Sequence, residues 1–442
     1  MQIDKTTLND LSVFNAEEEY SLFHRVDQCR TNEGRSILKK IFSTPLSNIN
    51  EIKDVQQILN FYQSRIDRWP TGITNGTLLV IEKFLDENRE SIPESPNFFN
   101  VLAYKFLHPV DYSMIVFSMK QVVEFIRGFR EIIDFFSGST HPRQLTEHIK
   151  ACNDILSNKY FQSRFTDKEF KSINPAELLE YAHMVHVECI AEIRKLIMLY
   201  GTFDAWYAMA KANQVLGLHF PEFMEQEDPM IQATGLRHVL LSHPVGYDLN
   251  MDPEHNFIFL TGANMAGKST LIKALGLSVY LAHIGMGVPA ETMKLTLFEG
   301  ILSNINVADN ITKGESYFYN EVKRIKETIH RINDEKKWLI LIDELFKGTN
   351  IQDAMKCSLS VIEGLSKMKN GLFILSSHLY EIGEDLKKIP SISFKYFETE
   401  LKDNQLLFSY KLKDGISKDR MGYLILQQEG VTALLEQIGK NS

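Results

Sequence analysis

Cysteine is scarce in this chain: Cys29, Cys152, Cys189 and Cys357 are the only four in 442 residues, and no two form a CxxC pair. That spacing argues against a zinc ribbon and against a disulfide framework, and it fits a reducing compartment. Long apolar runs are missing as well. The N-terminal MQIDKTTLND has no apolar core, and the most apolar stretch, SMIVFSMKQVVEFIRGFREIIDFF, is interrupted by Lys120, Glu124, Arg127, Arg130 and Glu131. Neither a secretory leader nor a membrane span is therefore expected, and the expected location is cytoplasmic. Positive charge is short too: 48 Lys and Arg against 57 Asp and Glu leave a formal −9. This argues against a generally basic nucleic-acid coat, while a local positive groove stays open because binding follows the local field. There is no internal repeat and no low-complexity segment.

What is present divides into two grammars. From Asn32 to about Phe220 the pattern is mostly helical. Ile37, Leu38, Ile41 and Phe42 line one face, Pro45 breaks that helix, and Ser47 or Asn48 can cap the next, which buries Ile49, Ile52, Val55 and Leu59. Longer helices are expected over about 113–136 and 176–199, as levers or as an ordinary bundle. The cluster PEFMEQEDP at 221–229 marks a boundary. Beyond it the short apolar runs FIFL, WLILI and LFILSS alternate with helical stretches, which reads as a mostly parallel sheet covered by helices. The fold class is α plus α/β, with a helical domain over 1–226 and an α/β domain over 227–442.

The chemistry is concentrated in the second part. TGANMAGKST, 261–270, spells G-x-x-x-x-G-K-S between a strand and a helix. Gly262 and Gly267 allow backbone N–H groups to wrap phosphate, with Asn264 and Met265 in the same turn. Lys268 reaches the terminal phosphates, and the Ser269 hydroxyl, followed by Thr270, ligates magnesium. The run WLILIDEL forms a strand buried on both faces, so Asp343 and Glu344 emerge at its C-terminal end, where open α/β sheets place ligands. Asp343 is a magnesium ligand through water and Glu344 polarises the attacking water. LFILSSHL ends a further buried strand at His378, placed to sense the γ-phosphate or the water.

These segments together resemble the MutS family of DNA mismatch-repair ATPases, within the ABC-type ATPase group. TGANMAGKST is similar to that family's TGPNMGGKST, with Ala263 and Ala266 replacing Pro and Gly; LILIDELFKGTNIQDA matches at Asp343, Glu344, Gly348, Thr349 and Asp353. ADNITKGESYFYNEV is similar to the signature segment G-x-S-T-F-x-x-E-M through Gly314, Ser316, Phe318 and Glu321, with Tyr317 where Thr is usual. SSHLYE resembles the segment of the switch histidine. TLNDLSVF and the stretch from Thr31 to Leu46 resemble the start of the core and lever domain, and KDGISKDRMGYLILQQEGV resembles the closing segment through Asp414, Gly415, Gly422 and Gly430. Arg237 and His238 resemble the pair that opens the ATPase domain, with Tyr247 or Tyr396 as an adenine stacker.

The resemblance implies an ATPase using ATP and Mg2+ as a homodimer, with Ser316 of one subunit contacting the nucleotide of the other. It further implies DNA as the partner, in a form the sequence does not specify, repair proteins as further partners, and lever arms that move with the nucleotide state. A short member without the N-terminal mismatch-reading and connector domains is expected. The competing reading is an ATP-gated module that binds protein or ribonucleoprotein and no free DNA.

Overall fold

The computed structural model describes the chain apart from residues 16, 18–19, 88–91, 95, 139, 159–160, 162–169, 171–172, 306–316, 403–404, 418–429, 432–433 and 436–442. Contacts divide it into two compact units: Met1–Arg25 with Thr44–Ile52 and Val215–Ser442, and Val26–Ser43 with Lys53–Gln214. A cut at residue 226 is therefore not the division that contacts make. The first residues cluster with the α/β unit because β1 (Gln2–Ile3) pairs parallel with a strand at 300–301. The helix Lys5–Asp10 follows it, with Asp4 capping the amide of Thr7.

The α/β unit holds two sheets. The smaller has four strands: β2 (Glu222–Phe223), β3 (Ile231–Leu236), β4 (Tyr247–Met251) and β6 (Thr292–Leu295), in the order β2-β6-β3-β4. The larger contains β1, β5 (Phe257–Thr261), β7 (Gly300–Asn304), β8 (Trp338–Asp343), β9 (Gly371–Ser376), β10 (Ile392–Lys402) and β11 (Gln405–Asp414). Its order is β1-β7-β8-β9-β5-β10-β11, parallel except for the last pair.

Every residue of β5, β7 and β9 is buried, as a sheet covered on both faces requires, including the polar Ser303 and Asn304 of β7. Phe257, Phe259, Ile340, Ile342 and Phe373 share one core with Ile362 and Leu365 of the helix Ile351–Leu365. Because β8, β9 and β5 are neighbours, the turns that follow Asp343, Ser376 and Thr261 open side by side. Gly300 shows how tightly β1 is docked: a Cβ there would meet Trp338 Cζ3 at 2.3 Å and the Gln2 carbonyl at 2.7 Å.

The helical unit contains the helices Asn32–Ser43, Asn75–Asp86, Phe98–Leu107, Pro109–Phe135, Arg143–Leu156, Pro175–Val187 and Ile190–Val215, the last ending at the unit's edge. Asn48 takes the amides of Asn50 and Glu51 and so begins the helix Ile49–Gln63. The helix expected over 176–199 is two helices. The Glu188 and Cys189 amides both turn back onto the Met184 carbonyl, which ends the first helix without a proline or glycine, and the second continues to Val215. The buried Asp204 carboxylate accepts from the Thr31 amide at 2.9 Å, the Thr31 hydroxyl at 2.7 Å and the Arg30 amide at 3.0 Å, tying the first of these helices to the last. Among the described residues no helix is long and apolar enough to cross a membrane.

Candidate functional site

The turn from β5 into the helix Lys268–His283 uses three left-handed residues: Gly262 at φ 142°, Met265 at 67° and Gly267 at 110°. Glycine meets the first and third without steric cost. Gly267 caps the helix without a side-chain bond, so the first-turn amides are free of a side-chain acceptor and aim their partial positive charge at the turn. Lys268 is nearly buried, and its ammonium donates to the carbonyls of Gly262 at 2.8 Å and Ala263 at 2.9 Å. Burial lowers the Lys268 ammonium below its ordinary value, against the pull of the carboxylates of Glu344 and Asp343.

The next strands deliver the acids. Asp343 ends β8 and accepts from the Ser269 hydroxyl at 2.5 Å and, on its other oxygen, from the hydroxyl of Ser376 at the end of β9. A hydroxyl and a carboxylate already within bonding distance suit a cation that prefers few protein oxygens and takes the rest from water and phosphate, as Mg2+ does. Among the described residues no cluster of three His, Cys, Asp or Glu forms a ready-made metal cage.

Glu344 has φ 66° and donates its amide to the Ser376 carbonyl at 3.1 Å. Its carboxylate lies 2.7 Å from His378 Nε2 and 3.1 Å from the Lys347 ammonium. Burial alone would raise the Glu344 carboxyl. The hydrogen bond and charge of His378, joined by Lys347, outweigh it and hold the group at about 2. His378 Nε2 is also 3.5 Å from the Lys268 ammonium.

A cleft of about 420 Å³ runs over these groups, lined by Asn264, Met265, Gly267, Lys268, Ser269, Thr270, Asp343 and Glu344. Leu241, His243, Val245, Tyr247 and Tyr410 line it as well. Tyr247 is held edge-on against Phe397, ring centroids 5.6 Å apart. Tyr396 is not among the lining residues and stands beside Gly415. Arg237 donates to the Leu216 and Gly217 carbonyls, and His238 is buried, its imidazole lowered to about 4 by burial and then by Lys273, so this pair packs the unit away from the cleft lining. Ser316, Gly314 and Gly422 lie outside the described residues.

Several site residues carry no mark in the sequence reading. Ser376 was visible only as the end of the apolar run LFILSS, and Tyr410, His243, Leu241 and Val245 reach the cleft through pairing and loops that no local pattern announces.

Residues 258–438 match the MutS domain V family. Over 430 residues, 92% of this chain and 47% of the relative, the chain is 24% identical to the DNA mismatch repair protein MutS of Staphylococcus haemolyticus (strain JCSC1435). It is 25% identical over 402 residues to the DNA mismatch repair protein MutS of Leptospira interrogans serogroup Icterohaemorrhagiae serovar Lai (strain 56601), covering 86% of this chain and 46% of that protein. It is 30% identical over 290 residues to the DNA mismatch repair protein MSH3 of Vanderwaltozyma polyspora, covering 63% of this chain and 27% of that protein. The chain thus spans about half the length, or less, of the curated relatives it matches. The phosphate turn, the strand-end acids and the histidine lie inside the matched region, and the alignment continues along the helical unit, so the chain is similar to MutS proteins over most of its length.

Proposed function

We propose that this protein is a Mg2+-dependent ATPase that works as a homodimer and couples ATP turnover to movement of its helical arms on DNA. The observation that carries the reading is the meeting of Lys268, Ser269, Asp343, Glu344 and His378 at the mouths of three adjacent strands. In this reading the 262–267 amides and the helix N-terminus bind the phosphates. Lys268 exchanges its two carbonyl acceptors for phosphate oxygens. Ser269 and Asp343 would hold Mg2+, which would supply charge neutralisation for the phosphates.

Glu344 orients and polarises the attacking water. A carboxylate held at about 2 is a weak proton acceptor, so its main contribution is placement, which suits a phosphoryl transfer with loose bonding to the nucleophile. Water oxygen bonds to the γ-phosphorus, the bond to the bridging oxygen breaks, the water's protons pass to the phosphate product and solvent, and ADP leaves with phosphate. His378 keeps the Glu344 carboxylate ionised and close to Lys268. Tyr247 and Tyr410 offer faces for adenine. Ser316 of one subunit contacts the nucleotide held by its partner.

DNA as the partner is supported by the relatives, which bear the name DNA mismatch repair protein. No comparable observation favours a protein or ribonucleoprotein partner. The test is the rate of phosphate release from Mg–ATP without DNA and with duplex, mismatched, junction and single-stranded DNA. A rate that rises at least several-fold with one DNA form supports the reading. No turnover with any of them contradicts it.

A further inference from the structure

Glu321 stands apart from the cleft, yet it is tied to the backbone that carries the acid. It lies in the helix Tyr317–Ile332, one turn from its start and 1% exposed. Phe318, Glu321 and Ile325 face the same side, which packs into the core of the larger sheet, whereas Tyr319, Val322 and Ile329 are exposed. The Glu321 carboxylate accepts from the Lys347 amide at 3.3 Å with one oxygen and from the Gly348 amide at 3.4 Å with the other.

The segment so held is an unusual one. Glu344 at φ 66° and Phe346 at φ 59° are both left-handed without being glycine, a conformation that persists only where the surroundings enforce it. Leu345 and Phe346 are pinned by burial, Phe346 against the Phe318 ring at 5.7 Å, and the next two amides are pinned by Glu321. Lys347 then carries the connection outward: its amide is on Glu321, and its ammonium is 3.1 Å from the Glu344 carboxylate.

We propose that Glu321 is the positioning residue for Glu344, fixing the 346–348 backbone and, through Lys347, the place where the acid presents itself to water. This rests on the reading of Glu344 as the water-orienting group. Glu321 touches neither substrate nor reacting atoms. The helix that carries it begins at Tyr317, the residue that follows Ser316 in the sequence. The two amides meet one carboxylate oxygen each, which a glutamine cannot supply: its amide nitrogen would face an N–H.

The experiment uses Glu321→Gln in the full chain, with Glu321→Asp keeping the charge on a shorter arm. Amide hydrogen exchange at 344–348, ATP affinity by equilibrium titration, and Mg–ATP turnover are measured on each. Glu321→Gln should speed exchange at 344–348 at least tenfold and leave 257–283 unchanged. Its kcat should fall at least tenfold with ATP affinity within twofold, and Glu321→Asp should recover part of the turnover. Parental exchange at 344–348 would overturn the tether whatever the turnover. Faster exchange with parental kcat would overturn the positioning role, and so would loss of ATP binding in step with turnover. If Glu321→Gln does not fold, Glu321→Asp alone decides by the same exchange and kcat readings. Parental turnover in Glu344→Gln would instead bring down the reading of Glu344, with exchange still deciding whether Glu321 holds the loop.

Discussion

His378 Nε2 lies 2.7 Å from Glu344 Oε1, and this contact decides the charge state of an acid that burial would otherwise drive toward neutrality. In His378→Ala the burial contribution is opposed by Lys347 and the nearby Lys268 without the histidine, so the Glu344 carboxyl rises. The acid limb of the turnover–pH profile then moves to higher pH in the variant. The stability effect has the opposite direction in the parent protein: a carboxyl depressed from 4.5 to about 2 stabilises the fold above its unfolded value and loses that contribution as pH falls through that window. Profiles of phosphate release for both proteins check this, and superimposable acid limbs would contradict it.

The Lys268 ammonium is drawn into the phosphate turn by the Gly262 and Ala263 carbonyls. Lys268→Ala removes a charge that the backbone amides cannot replace. Phosphate release should fall by about 10²–10³-fold, on the order of 3–4 kcal/mol, the range found when a preorganised donor to developing charge is deleted. Radiolabelled phosphate assays measure it, and a loss smaller than tenfold would count against Lys268.

Gly300→Ala tests how β1 is docked. The added methyl would come within 2.7 Å of the Gln2 carbonyl and 2.3 Å of the Trp338 ring, neither of which is a flexible chain end. A loss of roughly 1–3 kcal/mol is expected from overpacking. Urea titration reads it as a lower midpoint, and an unchanged midpoint would mean that β1 is held loosely.

A mixing experiment addresses the composite site. Lys268→Ala subunits combined with Ser316→Ala subunits form heterodimers in which one site carries both defects and the other neither. Turnover should return in part. An inactive mixture with heterodimer detected by mass would rule out Ser316 acting across subunits.

The legible parts of this protein are those coded locally. G-x-x-x-x-G-K-S is contiguous, and the apolar runs before Asp343 and His378 put those residues at strand ends because both faces of such strands must be covered. What stayed hidden depends on pairing over long separations. Gln2 and Ile3 form a sheet edge with residues 300 and 301, Ser376 meets Asp343 only because β8 and β9 are neighbours, and Tyr410 reaches the cleft from the antiparallel end of the sheet. The break after Val187 was equally silent, since two amides sharing the Met184 carbonyl leave no proline or glycine to read. Glu321 was visible as a motif match, but its hold on the 347–348 amides was not.

Glu344→Gln bears most directly on the central claim that this cleft turns over ATP through an acid that places water. The substitution keeps size and removes charge, while Lys268, Ser269 and Asp343 retain their places around the phosphate turn. Titration of ATP should give an affinity within about threefold of the parent, equal to about 0.7 kcal/mol, while phosphate release falls at least a hundredfold, about 2.7 kcal/mol. Parental turnover, or loss of ATP binding together with turnover, would contradict the claim.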